Sequence, residues 1–310
     1  MDMNKNVSGF FITVNFKTKQ YEVKLQPSST CNDLYLAVSQ KIRKSIDRIT
    51  LQTIESSTQK YCNIPQNSEK IEKFKIHSKT QLQLIDKGAQ INYRFSFILE
   101  YIGPIIVWSL LIAFRNTIYT NILKHPSCPS LSSFQKMVAA FWIFNFLKRV
   151  YESIFVHKFS RKTKQLSEIF LSVPYYYGYA LLVGLSILSP KYKQPSNIFI
   201  VVGFAIFFFG MMMNGYCHMY LSNLRKDPSS KQAHPIPSSW PFRLVVCPNY
   251  MFEILTWIGF NIATQTLAGL AFNITGMIPM YMWAVEKRAR YVSEHPDYPK
   301  NKSLIIPFIG

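Results

Sequence analysis

The chain has 310 residues, 48% of them hydrophobic and 15% aromatic, with only 16% charged and a formal net charge of +19. An average soluble domain carries roughly 25% charged residues, so low charge with a basic excess points to a membrane protein with basic cytoplasmic loops. Lys and Arg are spread along the chain beside apolar runs and form no single basic face with interleaved aromatics, which speaks against nucleic acid as a partner.

Met1 to Val7 is polar and lacks the apolar core of a signal peptide, so the N-terminal region is expected to stay in the cytosol. Residues 9–86 then read as a small soluble domain. Residues 10–16 have a strand composition, 18–20 are turn-like, and 21–25 alternate apolar with polar as a half-buried strand does. Ser28-Ser29-Thr30 supplies a helix N-cap, and Leu34, Val38 and Ile42 repeat at helical spacing over 33–42. Strands are expected again at 49–54 and 81–85. Strand, strand, helix, strand and closing strand is the order of a ubiquitin-like α+β roll. No residue in it looks catalytic, and the reading is an accessory or docking module over 1–88.

Lys87-Gly88-Ala89 is a joint, and 89–310 reads as an all-α polytopic membrane domain. A spanning helix needs about 20 mostly apolar residues. Candidates are 95–114, 137–156, 168–189, 197–221, 245–263 and 264–284, and the short last linker leaves six to seven transmembrane helices open. Six spans put both termini on one side. The 157–166 and 222–243 loops, with Lys158, Arg161, Lys162, Lys164, Arg225, Lys226, Lys231 and Arg243, then face the cytosol, as does a tail with Lys287, Arg288 and Arg290. The opposite loops hold fewer cations, which agrees with a positive-inside orientation. Five scattered Cys (31, 62, 128, 217, 247) form no CxxC or Cys/His ligand spacing, so neither a metal site nor a disulfide framework is expected.

Polar residues inside apolar spans are costly and mark sites. Here they are Glu100, Asn145, Asn214, His218, Asn249 and Glu253. Lys148, Arg149 and His157 stand at a span boundary, where snorkelling alone would also place them. Asn214, His218 and Arg225 fall on one helical face by their spacing. Tyr175-Tyr176-Tyr177 reads as an interface belt. No Walker loop, no GxGxxG after a strand, and no HExxH or GxSxG appears, so a Rossmann site and hydrolase chemistry are not expected. A cytosolic anion site around Arg225, Lys287 and Arg149, with a proton donor such as Tyr250 or Glu100 deeper in an apolar cavity, is the remaining reading.

Five pieces carry a family resemblance: Glu100-Tyr101-Ile102-Gly103-Pro104, the run from Lys148-Arg149 to Phe159-Ser160, Asn214 to Arg225, Pro248-Asn249-Tyr250 with Glu253, and the tail from Asp297-Tyr298-Pro299 to Pro307-Phe308-Ile309. From about residue 95 the chain resembles the steroid 5-alpha-reductase-like membrane reductases, and within them the very-long-chain trans-2-enoyl-CoA reductases of the endoplasmic reticulum. The resemblance implies NADPH as hydride donor and reduction of the 2,3-double bond of a very-long-chain 2-enoyl-CoA, the last step of each fatty-acid elongation cycle. It implies Tyr250 and Glu100 as catalytic residues. It implies Asn214, Arg225, Asn249, Glu253 and Tyr291, with the basic pair Lys148 and Arg149, around the cofactor, and His218 and Lys287 join that expected site by their place on the Asn214 face and in the cytosolic anion site. It also implies a lipid bilayer and the other elongation enzymes (condensing enzyme, ketoacyl reductase, hydroxyacyl dehydratase) as partners, with both termini cytosolic. The chain departs from the family at Arg161-Lys162-Thr163-Lys164, where a Thr-x-Pro step is usual, at Gly215, where an aromatic is common, and at Ser222. An enone reductase acting on a 3-oxo-steroid or polyprenal, a non-enzymatic scaffold and a transporter are the competing readings.

Overall fold

The computed structural model describes residues 9–55, 60–159, 162–225 and 235–307. They fall into two compact units, Met1–Asn92 with Thr163–Glu168, and Tyr93–Lys162 with Ile169–Gly310. The sequence runs at Met1 to Val7, Ser160-Arg161, Lys226, Lys231 and Phe308-Ile309 lie outside the described residues.

The first unit is a mixed five-stranded sheet with one helix packed on it. Strands β1 (Phe10–Phe16) and β2 (Lys19–Leu25) form a hairpin whose turn holds Lys17 at φ 55°. Ile12 and Val14 of β1 and Val23 and Leu25 of β2 point inward and are at most 4% exposed, the period-2 pattern of a half-buried sheet. Helix α1 (Cys31–Ile42) starts at Thr30 in a capping box. The Thr30 hydroxyl accepts from Asp33 N, and Thr30 N donates to the Asp33 carboxylate at 2.8 Å. Its Leu34, Tyr35 and Val38 close the core with Leu51, Leu82 and Leu84. The Tyr35 hydroxyl donates to Ile64 O and accepts from Leu51 N, so its polar tip is satisfied inside.

Strands β3 (Ile49–Glu55), β4 (Lys60–Asn63) and β5 (Gln81–Asp86) complete the sheet in the order β2-β1-β5-β3-β4, with β1 and β5 parallel at the centre. The N-terminal region is thus β-rich and resembles ubiquitin-like folds. Every strand expected from the sequence is present, and β4 is an addition. At one end of the sheet Asp86 takes Lys44 at 2.8 Å and Arg48 at 2.9 Å. Hydrogen bonds from Arg48, then Lys44, hold its carboxyl well below the usual carboxylate range. A ribbon of β6 (Gln90–Asn92) and β7 (Thr163–Gln165) also belongs to this unit.

The second unit is helical. Its helices are α2 (Tyr93–Ala113), α3 (Ser133–Tyr151), α4 (Ile169–Ile187), α5 (Asn197–Leu224), the short α6 (Trp240–Leu244), α7 (Pro248–Thr264) and α8 (Leu267–Glu294). Four stretches, Tyr93–Ala113, Leu166–Ile187, Asn197–Leu224 and Leu267–Glu294, are long and apolar enough to cross a membrane. The other two spans expected from the sequence are also helices, but α3 carries Lys136, Lys148 and Arg149, and α7 has 17 residues. Pro248 opens α7 at its first position, where a missing N–H costs nothing. Cys247 N and Val246 N donate to Leu304 O and Ser303 O, which docks the C-terminal tail.

Aromatic rings fill the middle of the bundle. Trp108 stacks on Trp142 at 4.8 Å, Trp142 meets Trp257 at 5.3 Å, and Trp257 meets Phe272 at 4.7 Å, linking α2, α3, α7 and α8. Tyr175-Tyr176-Tyr177, read as an interface belt, makes contacts between helices. Tyr175 donates to Phe272 O, Tyr177 donates to Leu99 O, and Tyr176 packs edge-on to Tyr101, so all three join α4 to its neighbours. Helices α5 and α7 touch backbone to backbone. A Cβ at Gly203 would stand 2.5 Å from Ala263 N, and one at Gly210 would stand 2.7 Å from Thr256 N. Small residues at such crossings let helices approach closely without a hydrophobic drive from water.

Two outcomes are expected. Asp86→Asn costs the first unit about 1–2 kcal/mol at neutral pH. Because the folded Asp86 is more acidic than the unfolded one, its contribution is complete above the ordinary carboxylate pKa and disappears as pH falls towards the depressed folded value. Thermal unfolding across the acid range reads this as a weaker acid dependence in the variant. Gly210→Val forces α5 and α7 apart and costs about 1–3 kcal/mol, read as a lowered unfolding midpoint in detergent.

Candidate functional site

The last turn of α3 places Lys148, Arg149 and Glu152 together, since residues three and four apart share a helix face. Glu152 opens a π-helical turn, Glu152–Val156, that widens the helix at this point. Lys148 Nζ lies 3.0 Å from Glu152 Oε1, and Arg149 Nη1 lies 3.3 Å from Glu152 Oε2. The Glu152 side chain is 5% exposed, so it counters two cations largely out of water.

Three other helices bring partners to this pair. From α5, Asn214 accepts from Lys148 Nζ at 2.6 Å and donates to Asn249 O of α7 at 2.9 Å. His218, one turn on, sets Nδ1 3.0 Å from Glu152 Oε2. An ionised carboxylate only accepts, so this nitrogen carries the proton. Arg149 Nη1, 3.4 Å from the same nitrogen, is then a neighbour and not its donor. From α7, Glu253 places Oε2 3.8 Å from Arg149 Nη1 and takes a hydrogen bond from Trp257 Nε1 on its other oxygen. From α2, the Tyr101 hydroxyl accepts from Arg149 Nη2 at 2.8 Å, with the guanidinium over its own ring. A desolvated guanidinium is tolerated when it is paired and hydrogen-bonded on several sides.

Glu100, next to Tyr101 on α2, faces the other way. It is 3% exposed and accepts from Ser172 Oγ of α4 at 2.7 Å. Tyr250 lies one turn before Glu253, half-buried against Trp283 at 6.1 Å and within electrostatic reach of Tyr93, Tyr101 and Arg149. Its hydroxyl makes no hydrogen bond among the described residues, so it is open to a ligand. Buried Arg149 Nε, Asn249 Oδ1 and Arg290 Nε also have no partner among the described residues. A polar ligand would meet them.

The remaining predicted residues separate from this cluster. Arg225 is the C-cap of α5, just past its last residue Leu224, and its side chain takes a different partner from those of Asn214 and His218. It donates to Lys158 O and lies within electrostatic reach of Arg290 and Tyr291. Lys287 Nζ sits 5.7 Å over the ring of Tyr291, which is buried against Tyr298. Arg225, Lys287, Arg290 and Tyr291 therefore form a second, basic grouping. Gly215, where an aromatic is common, has Glu152 and Lys148 3.5 Å from where its Cβ would be, so an aromatic there would press on both.

The sequence reading passed over Glu152, Tyr101 and Ser172 as site members. The spacing of Glu152 from Lys148 and Arg149 was the available signal. His157 is no simple interfacial residue either, as it packs edge-on to His218 at 4.7 Å. Glu152, His157 and His218 bring their ligand atoms within 4.8 Å of one another, a geometry that could hold a metal ion. Lys148 and Arg149 already occupy both Glu152 oxygens, and a dication there would face two positive neighbours.

Glu152→Ala strands Lys148 and Arg149 beside each other and is expected to cost about 3–5 kcal/mol. Glu152→Gln, which keeps the shape, costs less. Unfolding midpoints in detergent, compared between the two, read this ordering.

A family model described as 3-oxo-5-alpha-steroid 4-dehydrogenase matches residues 162–310. A very-long-chain enoyl-CoA reductase of Dictyostelium discoideum is 35% identical over 288 residues, covering 91% of this chain and 92% of that one. The human trans-2,3-enoyl-CoA reductase-like protein is 30% identical over 239 residues, covering 74% of this chain and 64% of its own length. The first match takes in the β-rich unit and the helical unit alike, with the Arg149 cluster inside it, and on that evidence the chain belongs to the very-long-chain enoyl-CoA reductase family.

Proposed function

We propose that the protein reduces the 2,3-double bond of a very-long-chain trans-2-enoyl-CoA with NADPH, as the last step of a fatty-acid elongation cycle. The observation that carries this reading is the convergence of α2, α3, α5 and α7 on the buried Arg149 cluster, with the uncommitted Tyr250 hydroxyl beside it. Family membership supplies the reaction type.

The chain's donor set fits a nicotinamide dinucleotide. Arg149 Nε and Asn249 Oδ1 are buried polar atoms without partners, suited to a carboxamide or ribose. Arg225, Lys287 and Arg290 offer charge to phosphates, which need charge-assisted partners. The 2′-phosphate of NADPH favours it over NADH at such a basic grouping. Asn214, His218, Glu253, Tyr291 and Lys148 complete the proposed lining. NADPH supplies a hydride when bound.

Hydride arrival at the β-carbon sends the double-bond electrons towards the thioester oxygen. The Tyr250 hydroxyl donates a hydrogen bond there, in an apolar setting where such a bond counts most. The α-carbon then needs a proton. Tyr250 gives it, or Glu100 relays it, with Ser172 holding the Glu100 carboxyl in place. Arg149 binds and orients through Tyr101, whose neighbour in the chain is Glu100.

The same reading makes residues 1–88 a cytosolic ubiquitin-like domain and 89–310 the membrane reductase domain. It counts α3 and α7 as spans beside the four apolar stretches, six in all, with both termini cytosolic in the endoplasmic reticulum. The condensing, keto-reducing and dehydrating enzymes of elongation are the proposed partners.

Purified protein in lipid nanodiscs is expected to oxidise NADPH one-for-one with a long-chain trans-2-enoyl-CoA and release the saturated acyl-CoA, identified by mass spectrometry. Turnover of a 3-oxo-steroid in place of the enoyl-CoA would overturn the reading. Tyr250→Phe should lower kcat by about 10²–10³-fold while NADPH binding, followed by fluorescence, stays intact.

A further inference from the structure

The first unit is electrically lopsided, and the lopsidedness follows its topology. The end of β1, the start of β3, the end of α1 and the end of β5 all meet at one pole of the sheet, because β1 and β5 run parallel and β3 opposes them with Ile49 across from Asp86. This pole carries Lys17, Lys19, Arg43, Lys44, Arg48 and Lys87 against two carboxylates, Asp47 and Asp86. Lys17 and Lys44 both lie over the Phe16 ring, at 5.7 and 5.5 Å, so the cations are gathered on one spot. The opposite pole, at the start of α1, mixes Lys70, Lys73, Lys75 and Lys79 with Asp33, Glu69 and Glu72, and Lys73 is paired to Glu69.

The chain leaves the unit from the basic pole. Gln90 donates to the carbonyls of Lys87 and Gly88, and the β6–β7 ribbon follows at once. Asn92 of β6 is succeeded directly by Tyr93, the first residue of one apolar helix, and Gln165 of β7 by Leu166, the first of another. Five residues lie between Lys87 and Tyr93, a reach of at most about 20 Å. Two covalent connections thus tether this unit to the starts of two apolar helices.

We infer that this pole is a docking surface for anionic lipid headgroups in the leaflet that the two helices enter. Clustered Lys and Arg beside a spanning helix are drawn to the negative potential of such a leaflet, and the attraction fades beyond a Debye length. The surface would fix the height of the ubiquitin-like unit above the bilayer. It needs none of the residues proposed for catalysis, so the inference stands apart from the enoyl-CoA reading.

The test uses the full-length protein reconstituted into vesicles of phosphatidylcholine, with or without about a third phosphatidylserine, and an amine-acylating probe read by peptide mass spectrometry. Expected is an about threefold or greater fall in labelling of Lys17, Lys19 and Lys44 in the phosphatidylserine vesicles. Lys70, Lys75 and Lys79 should label equally in both. The protection should vanish at about 0.5 M salt. In the Lys17→Glu/Lys19→Glu variant, Lys44 should lose its lipid dependence. Equal labelling of the basic pole in the two lipids overturns the inference. So does equal protection in phosphatidylcholine alone, which assigns the cover to protein, or protection in phosphatidylcholine by added soluble acyl-CoA, which assigns the anion to substrate.

Discussion

A guanidinium withdrawn from water sets the terms for the helical unit. Arg149 cannot shed its charge, and out of water it needs an acceptor on each side. The chain meets this demand at the two terminal nitrogens with partners from several helices, Tyr101 from α2, Glu152 from its own helix and Glu253 from α7, and leaves Nε without a partner among the described residues. Lys148 draws in α5 through Asn214, and Asn214 in turn reaches the backbone of α7. Asn214, His218, Asn249 and Glu253, polar residues scattered through separate spans, are therefore connected through Lys148, Arg149 and Glu152, while Glu100 bonds to Ser172 instead. Removing a member leaves charge behind, which makes the cluster a condition of the fold as well as of any chemistry.

Lysine at position 149 would not serve the same end. An ammonium has no planar fork, and it could not lie over the Tyr101 ring while donating to its hydroxyl and to a carboxylate. The geometry thus separates two kinds of cation. Arg149 is locked by many contacts, whereas Lys148 is held by two, Arg225 stands at the C-terminal end of α5, and Lys287 lies over the ring of Tyr291.

The β-rich unit was legible because its strands alternate cleanly and Thr30-x-x-Asp33 announces the helix. Strand β4 was not, since Lys60–Asn63 is a four-residue edge strand with no alternation to read. Long apolar runs located the helices of the second unit, because lipid-length hydrophobicity is a strong pattern. The sequence could rank single polar residues by cost, yet it held no record of which ones meet. Glu152 resembles any acidic residue next to a basic pair on a solvated helix, and only packing makes it central. Spacing groups Arg225 with Asn214 and His218, and only packing shows that its guanidinium meets Lys158 O. The Tyr175–Tyr177 run has the composition of a boundary belt, but helix rotation turns its hydroxyls towards backbone carbonyls.

The glycine contacts between α5 and α7 have a mechanical consequence. Two rods that touch backbone to backbone at Gly203, Gly210 and Gly259, with rings such as Phe207 and Phe260 packed beside the crossings, behave as one beam. Asn214 and His218 ride on one rod and Asn249 and Glu253 on the other, so their mutual spacing is insulated from changes in bilayer thickness or lateral pressure. The third contributor, the end of α3, is not part of this beam, and its helix widens there into a π turn. The beam stays fixed, and the give in the structure is placed at Glu152.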